Sequence, residues 1–124
     1  MKQSYYICEH CGAVVSVIQG SGASLSCCGR KMQPLAAGTV DASREKHVPV
    51  WERHDGVVTV RVGEAPHPMQ PEHFIPWIAL ETAGGMQLRE LHPGEAPEAA
   101  FCLAEDEAVV AVYAYCNLHG LWKS

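Results

Sequence analysis

The sequence predicts an all-β chain in which a small metal-stapled segment is followed by an immunoglobulin-like β-sandwich. Three observations carry this reading. Short runs of β-branched and aromatic residues alternate with turn clusters throughout residues 38–124. No stretch sustains a helical period, although Glu95 to Glu105 has a composition that invites one. Residues 1–37 are too few to bury a sufficient core, yet they hold four of the six cysteines. The predicted division is therefore 1–37 and 38–124.

The small segment offers two β-like runs, Tyr5 to Cys8 and Val14 to Gln19, around a knuckle containing Gly12. The stretch Gly20-Ser21-Gly22-Ala23-Ser24 is a loop by composition. In the larger segment the strand candidates are Val48 to Arg53, Val57 to Val62, Phe74 to Thr82, Met86 to Leu91, Ala99 to Leu103 and Ala108 to Tyr115. Val58, Val60 and Val62 share one face of the second of these, directly after an Asp55-Gly56 turn. Ala83-Gly84-Gly85 and Pro93-Gly94 mark further turns.

Composition narrows the function classes. A hydrophobic share of 48% against 19% charged residues is that of an ordered globular protein. No apolar run approaches the roughly 18 residues of a membrane span, and Met1-Lys2-Gln3-Ser4-Tyr5-Tyr6 shows no secretory apolar stretch. A cytoplasmic location without membrane contact is expected, and in that reducing compartment clustered cysteines are metal ligands more often than disulfides. The formal charge of −5 argues against nucleic acid as a partner. Charge is also uneven: Lys2, Arg30 and Lys31 against Glu9 give residues 1–37 a net of +2, whereas the remainder carries −7. Four thiolates around a divalent ion would bring the small segment near neutrality.

Cys8-Glu9-His10-Cys11-Gly12 and Cys27-Cys28-Gly29 supply those thiols. A C-x-x-C knuckle lets two sulfurs converge on one ion, and a following glycine relieves the tight turn. Four sulfurs suit zinc or iron equally, so ligand type leaves the choice open. The adjacent pair Cys27-Cys28 also admits a vicinal disulfide, and the whole cluster admits a structural zinc clip. His10, inside the knuckle, reads as a solvated side chain.

A second constellation comprises His47, His67, His73, Cys116 and His119, each at a predicted strand edge or loop. Pro49 and Pro68 stiffen the chain beside two of the histidines. Cys116-Asn117-Leu118-His119 is a C-x-x-H turn of the kind that aims two side chains at one ion. Singly, each histidine reads as an ordinary surface or core residue, and spacing alone does not bring the segments together.

The motifs Glu45-Lys46-His47-Val48-Pro49, His67-Pro68-Met69, His73-Phe74-Ile75-Pro76-Trp77-Ile78 and Cys116-Asn117-Leu118-His119-Gly120-Leu121-Trp122 resemble, in order, the signatures of desulfoferrodoxins and superoxide reductases. The N-terminal segment is similar to desulforedoxin, adjacent cysteine pair included. The resemblance implies two iron ions per chain. One is a rubredoxin-like iron held by Cys8, Cys11, Cys27 and Cys28, where zinc is a possible substitute. The other is a catalytic iron with His47, His67, His73 and His119 as equatorial ligands and Cys116 as axial ligand. It further implies one-electron reduction of superoxide to hydrogen peroxide, an external donor such as rubredoxin, and a homodimer.

In that family the glutamate matching Glu45 occupies the sixth position of the oxidised iron. Lys46, beside His47, is expected to attract superoxide locally, against the negative charge of its domain. Backbone N–H groups after Cys116 are expected to hydrogen-bond its sulfur, and Trp77 and Trp122 to shield the site. Trp51 and His54 depart from the aliphatic residues of many relatives, outside the metal motifs. Cys102 reads as a buried free thiol, and His54 and His92 as loop residues. The competing class is a non-enzymatic electron-transfer or metal-sensing module. Dismutation, the same chemistry run in both directions, is a third possibility.

Overall fold

The computed structural model describes residues 4–124. Met1–Gln3, the start of the stretch read above for a leader, lie outside the described residues. The chain parts into two compact units between Ala36 and Ala37. It is almost wholly β, as the sequence predicts, with one four-residue helical turn among the described residues.

The small unit contains a three-stranded antiparallel sheet in which β1 (Tyr5–Ile7) is flanked by β2 (Val14–Ser16) and β5 (Gln33–Leu35). A two-residue hairpin, β3 (Ser26–Cys27) with β4 (Arg30–Lys31), carries the second cysteine pair. Among the described residues, Tyr5, Cys8 and Met32 are its buried apolar side chains. A core this small cannot offset the conformational entropy of some thirty residues, so a staple is a physical requirement of the unit. β2 is shorter than the run read from the sequence, which continues into the exposed Ile18 and Gln19.

The larger unit begins with α1 (Arg44–His47), followed by β6 (Pro49–His54), β7 (Val57–Val62), β8 (Trp77–Thr82), β9 (Gly85–Glu90), β10 (Glu98–Cys102), β11 (Val109–Cys116) and β12 (Gly120–Lys123). Two antiparallel sheets, ordered β10-β7-β6 and β12-β11-β8-β9, form the sandwich. Val58, Val60 and Val62 from one sheet meet Ile78, Leu80, Val112 and Ala114 from the other, with Ile75, Leu91 and Phe101 completing the core. Asp55 takes φ +56 in the β6–β7 turn, the left-handed conformation that an Asp-Gly hairpin demands.

The register places one end of this sandwich at the disposal of the histidines. Pro49 pairs with Val62, Trp77 with Tyr115, and Cys116 with Gly120. The segments carrying His47, His67, His73, Cys116 and His119 therefore leave the sheets at the same end.

Three sequence expectations need correction. His47 ends a helical turn instead of lying at a strand edge. The strand expected from Phe74 starts at Trp77, because Pro76 has no N–H to give to a ladder. Cys102 is exposed: Phe101 fills the core, and strand alternation then turns its neighbour outward.

Candidate metal centres

In the small unit the chain folds back on itself after β1. Cys8 N–H donates to the Ala13 carbonyl at 2.9 Å and Gly12 N–H to the Cys8 carbonyl at 2.8 Å. Gly12 takes φ +81 to close this knuckle. The β3–β4 hairpin presents the other pair, with Cys28 itself at φ +53. All four sulfurs lie within 4.8 Å of one another; Cys11 and Cys27 are 3.7 Å apart, Cys27 and Cys28 3.9 Å. A tetrahedron with metal–sulfur bonds of about 2.3 Å has edges of about 3.8 Å, so the thiols already match such an ion. Cys27 and Cys28 are free thiols, not a vicinal disulfide. His10 is exposed and outside the cluster.

The proton affinities show why a cation belongs there. The Cys11 N–H draws the Cys8 thiol down to about 6, against its burial. Hydrogen bonding with Cys11, then with Cys8 and Cys28, pushes Cys27 up to about 12, and hydrogen bonding with Cys11 also raises Cys28. One thiolate makes the next harder to form unless positive charge sits among them.

At the end of the sandwich, His47, His67, His73 and Cys116 bring one donor atom each within 4.8 Å of the others. His119 joins them through Nδ1, which lies 3.1 Å from His47 Nε2 and 3.7 Å from the Cys116 sulfur. Two rings are tied down from behind: His47 Nδ1 to the Ser43 carbonyl at 2.6 Å, His67 Nδ1 to the Pro68 carbonyl at 2.7 Å. A carbonyl only accepts, so both Nδ1 atoms carry the proton and both Nε2 atoms present bare lone pairs. Those two Nε2 atoms nevertheless lie 3.2 Å apart.

Burial pushes the His67 pKa down to about 4 and lowers those of His47 and His73, so extra protons do not relieve the clash near neutrality. His73 Nε2 is buried without a hydrogen-bond partner. Converging lone pairs and an orphaned nitrogen fit a metal ion.

Cys116 closes the cluster from β11 and is fully buried. Burial raises its pKa, opposed by the backbone N–H groups of Leu118 and His119. Those donors are the ones expected from the C-x-x-H turn. Trp122 lies against His47, whereas Trp77 stacks on Tyr115, with ring centroids 5.4 Å apart.

Glu45 and Lys46 are exposed on α1. The Lys46 charge contributes to lowering the pKa of both His47 and His73, so its field reaches the cluster. The Glu45 carbonyl accepts from Glu64 N–H at 2.8 Å. Gly63, at φ +82, is what lets these segments meet: a Cβ there would lie 2.7 Å from the carbonyl oxygens of both Glu45 and Lys46. In the sequence Gly63 is marked only by standing directly after a strand run, a signal for close backbone approach. The Ser43 and Pro68 carbonyls have no mark at all, since no side-chain pattern announces them.

Two all-β units, one bearing a four-thiol cluster and the other a four-histidine, one-thiol cluster, define a class of non-haem metalloprotein. The desulfoferrodoxin family model matches residues 39–124, and the model of the desulfoferrodoxin N-terminal domain matches residues 1–35. The chain belongs to the desulfoferrodoxin family, and its two donor groups are consistent with that family's iron sites.

It is 46% identical over 123 residues to the desulfoferrodoxin of Syntrophotalea carbinolica, covering 99% of this chain and 96% of that one. With the desulfoferrodoxin of Nitratidesulfovibrio vulgaris it shares 45% identity over 119 residues, covering 96% and 93%. Among solved structures, the superoxide reductase from Treponema pallidum matches with a TM-score of 0.85 at 40% identity, covering 100% of this chain and 99% of that one. The one-iron superoxide reductase from Giardia intestinalis matches with a TM-score of 0.55 at 33% identity, covering 64% and 95%.

Proposed function

We propose that this chain catalyses the one-electron reduction of superoxide to hydrogen peroxide, taking up one electron and two protons per superoxide. As an enzyme it is an oxidoreductase of the superoxide reductase class, to which its structural neighbours belong. The observation that carries the reading is the meeting of His47 and His67 lone pairs beside the orphaned His73 nitrogen and the buried Cys116 thiol.

His47, His67, His73, His119 and Cys116 would hold one iron, and Cys8, Cys11, Cys27 and Cys28 the other, with zinc a possible substitute in the latter. The first of these ions, when bound, would supply the one-electron chemistry, and five protein donors would leave it able to accept an oxygen anion. The chain's own groups do the rest. Burial disfavours protonation of His47, His67 and His73, and the negative charge in the cluster is that of the Cys116 sulfur. The Leu118 and His119 N–H groups hold negative charge on the Cys116 sulfur. Lys46 supplies the local positive charge that draws superoxide to a domain of net −7, and Glu45 beside it is the carboxylate that would bind the oxidised iron.

Residues 1–37 form the four-cysteine iron domain and residues 38–124 the catalytic domain. The electron donor is rubredoxin or a similar small carrier. The working compartment is the cytoplasm, whose reducing poise keeps such thiols available to metal. The chain works as a homodimer, in which the small unit gains core by pairing with its copy.

The deciding experiment gives chemically reduced, iron-loaded protein a limiting pulse of superoxide without oxygen present. One peroxide per superoxide, no oxygen released and matching oxidation of the histidine–cysteine iron establish a reductase. Oxygen with about half as much peroxide, the stoichiometry of two superoxides sharing one electron transfer, means dismutation. No reaction returns the chain to electron transfer or metal sensing.

A further inference from the structure

We propose that Asn117 is a positioning residue for His73, locking the segment that carries this ring onto the Cys116–His119 turn. His73 differs from its neighbours in how it is held. His47 and His67 are each anchored by their own Nδ1 to a carbonyl. The His73 ring has no side-chain hydrogen bond among the described residues, and its Nε2 is buried and bare. The direction of that ring is therefore set by its backbone.

The backbone at position 73 is fixed twice. An isolated bridge joins it to Gln70, with Gln70 N–H donating to the His73 carbonyl at 2.9 Å and His73 N–H to the Gln70 carbonyl at 3.1 Å. That bridge is local and ties position 73 only to its own loop, whose other anchors lie further along at Glu64, Met69 and Pro76. Asn117 is what ties the residues on both sides of His73 to the Cys116–His119 turn. Its Nδ2 donates to the Glu72 carbonyl at 3.1 Å, and its Oδ1 accepts from Phe74 N–H at 2.9 Å. Its own N–H donates to the Phe74 carbonyl at 3.2 Å.

The donor and acceptor pattern fixes the orientation of the amide, since the reverse would set oxygen against the Glu72 carbonyl. Asn117 directly follows Cys116, so one residue couples the spacing of the Cys116 sulfur and the His73 nitrogen. Only a short side chain with a donor and an acceptor on one planar group makes both contacts. Aspartate retains the acceptor for Phe74 N–H, loses the donor and puts a charge against the Glu72 carbonyl.

This proposal rests on the reading of the histidine–cysteine cluster as an iron site, and its test keeps the two apart. Iron-loaded wild-type protein, Asn117→Ala and Asn117→Asp are mixed with a chelator, and release is followed separately from each site. The four-cysteine iron serves as an internal reference in the same chain. Asn117→Ala is expected to release the histidine–cysteine iron roughly tenfold faster or more, as loss of a supporting group around a metal site does. The reference iron should leave at the wild-type rate. Asn117→Asp should fall between.

In the metal-free protein, hydrogen exchange at the Phe74 amide should speed up in Asn117→Ala. Arg53→Ala, which loosens the Ala104 and Glu107 carbonyls at a different loop, should leave histidine–cysteine iron release unchanged. Wild-type release rates in folded Asn117→Ala or Asn117→Asp, or equal acceleration at both irons, overturn the positioning role. A wild-type chain that loads iron only at the four cysteines instead overturns the functional reading, and this proposal with it.

Discussion

Trp122 lies on the face of His47, with ring centroids 5.0 Å apart and planes at 28°, while its indole N–H donates to the His119 carbonyl at 3.1 Å. One fully buried side chain on β12 therefore braces two arms of the cluster that are 72 residues apart in sequence. Its two contacts separate by substitution. Trp122→Phe keeps an aromatic face and loses the N–H bond, a change expected to cost about 1 kcal/mol. Trp122→Ala removes the stack and leaves a cavity, for a loss of about 3–5 kcal/mol. Urea unfolding of the metal-free protein measures both. Equal losses in the two variants would mean that the hydrogen bond, not the ring, is what Trp122 contributes.

Lys46 is a solvated side chain whose field reaches His47 and His73, within a domain that otherwise repels anions. Local attraction of this kind accelerates encounter and is weakened by salt. Lys46→Ala should lower the second-order rate with superoxide about tenfold at low ionic strength and flatten its salt dependence. Pulse radiolysis at several salt concentrations reads both effects. An unchanged rate would remove Lys46 from the mechanism.

What the sequence disclosed depends on how each residue is held. The sandwich was legible because Val58, Val60 and Val62 alternate cleanly, and buried strands write their period into the chain. The helical turn Arg44–His47 was not, since four residues are too few to show a helical period. β3 and β4 escaped notice for the same reason: a two-residue strand has no alternation to display. Cys102 faces outward against expectation because an apolar composition does not reveal which face of a strand is inside, and here Phe101 decides it. Within the cluster, the ring-bearing residues could be named through the family resemblance, since spacing alone does not bring their segments together. The carbonyls of Ser43 and Pro68, which set the tautomers of His47 and His67, are main-chain groups that no residue type marks.

Gly63 joins the end of β7 to α1 at a distance that tolerates no side chain. Its φ of +82 already disfavours any other residue, and an added Cβ would also press on the Ala65 carbonyl. Gly63→Ala is expected to destabilise the fold by about 2 kcal/mol or more. The displacement falls on the turn that carries Glu45, Lys46 and His47, so iron at the histidine–cysteine site should be lost before iron at the four cysteines. Metal analysis after mild dialysis against a chelator tests the order. Parallel loss from both sites would place the damage elsewhere.

The metal-free protein should lose stability in mild acid, and His67 sets the window. Burial holds its folded pKa at about 4, below the ordinary value of 6.5. The unfolded chain therefore takes up a proton first as the pH falls. The stability that rests on neutral His67 is fully present above about 6.5 and declines as the pH drops towards about 4, with His47 and His73, also lowered, adding to the slope. Below about 4 the folded His67 is protonated too, and its share of the slope ends. Urea midpoints at successive pH values give the number of protons taken up on unfolding. His67→Gln should reduce that number by up to one between pH 4 and 6.5. A wild-type slope unaltered by this substitution would show that the His67 ring is solvated, and its lone pair would then no longer be held bare against that of His47.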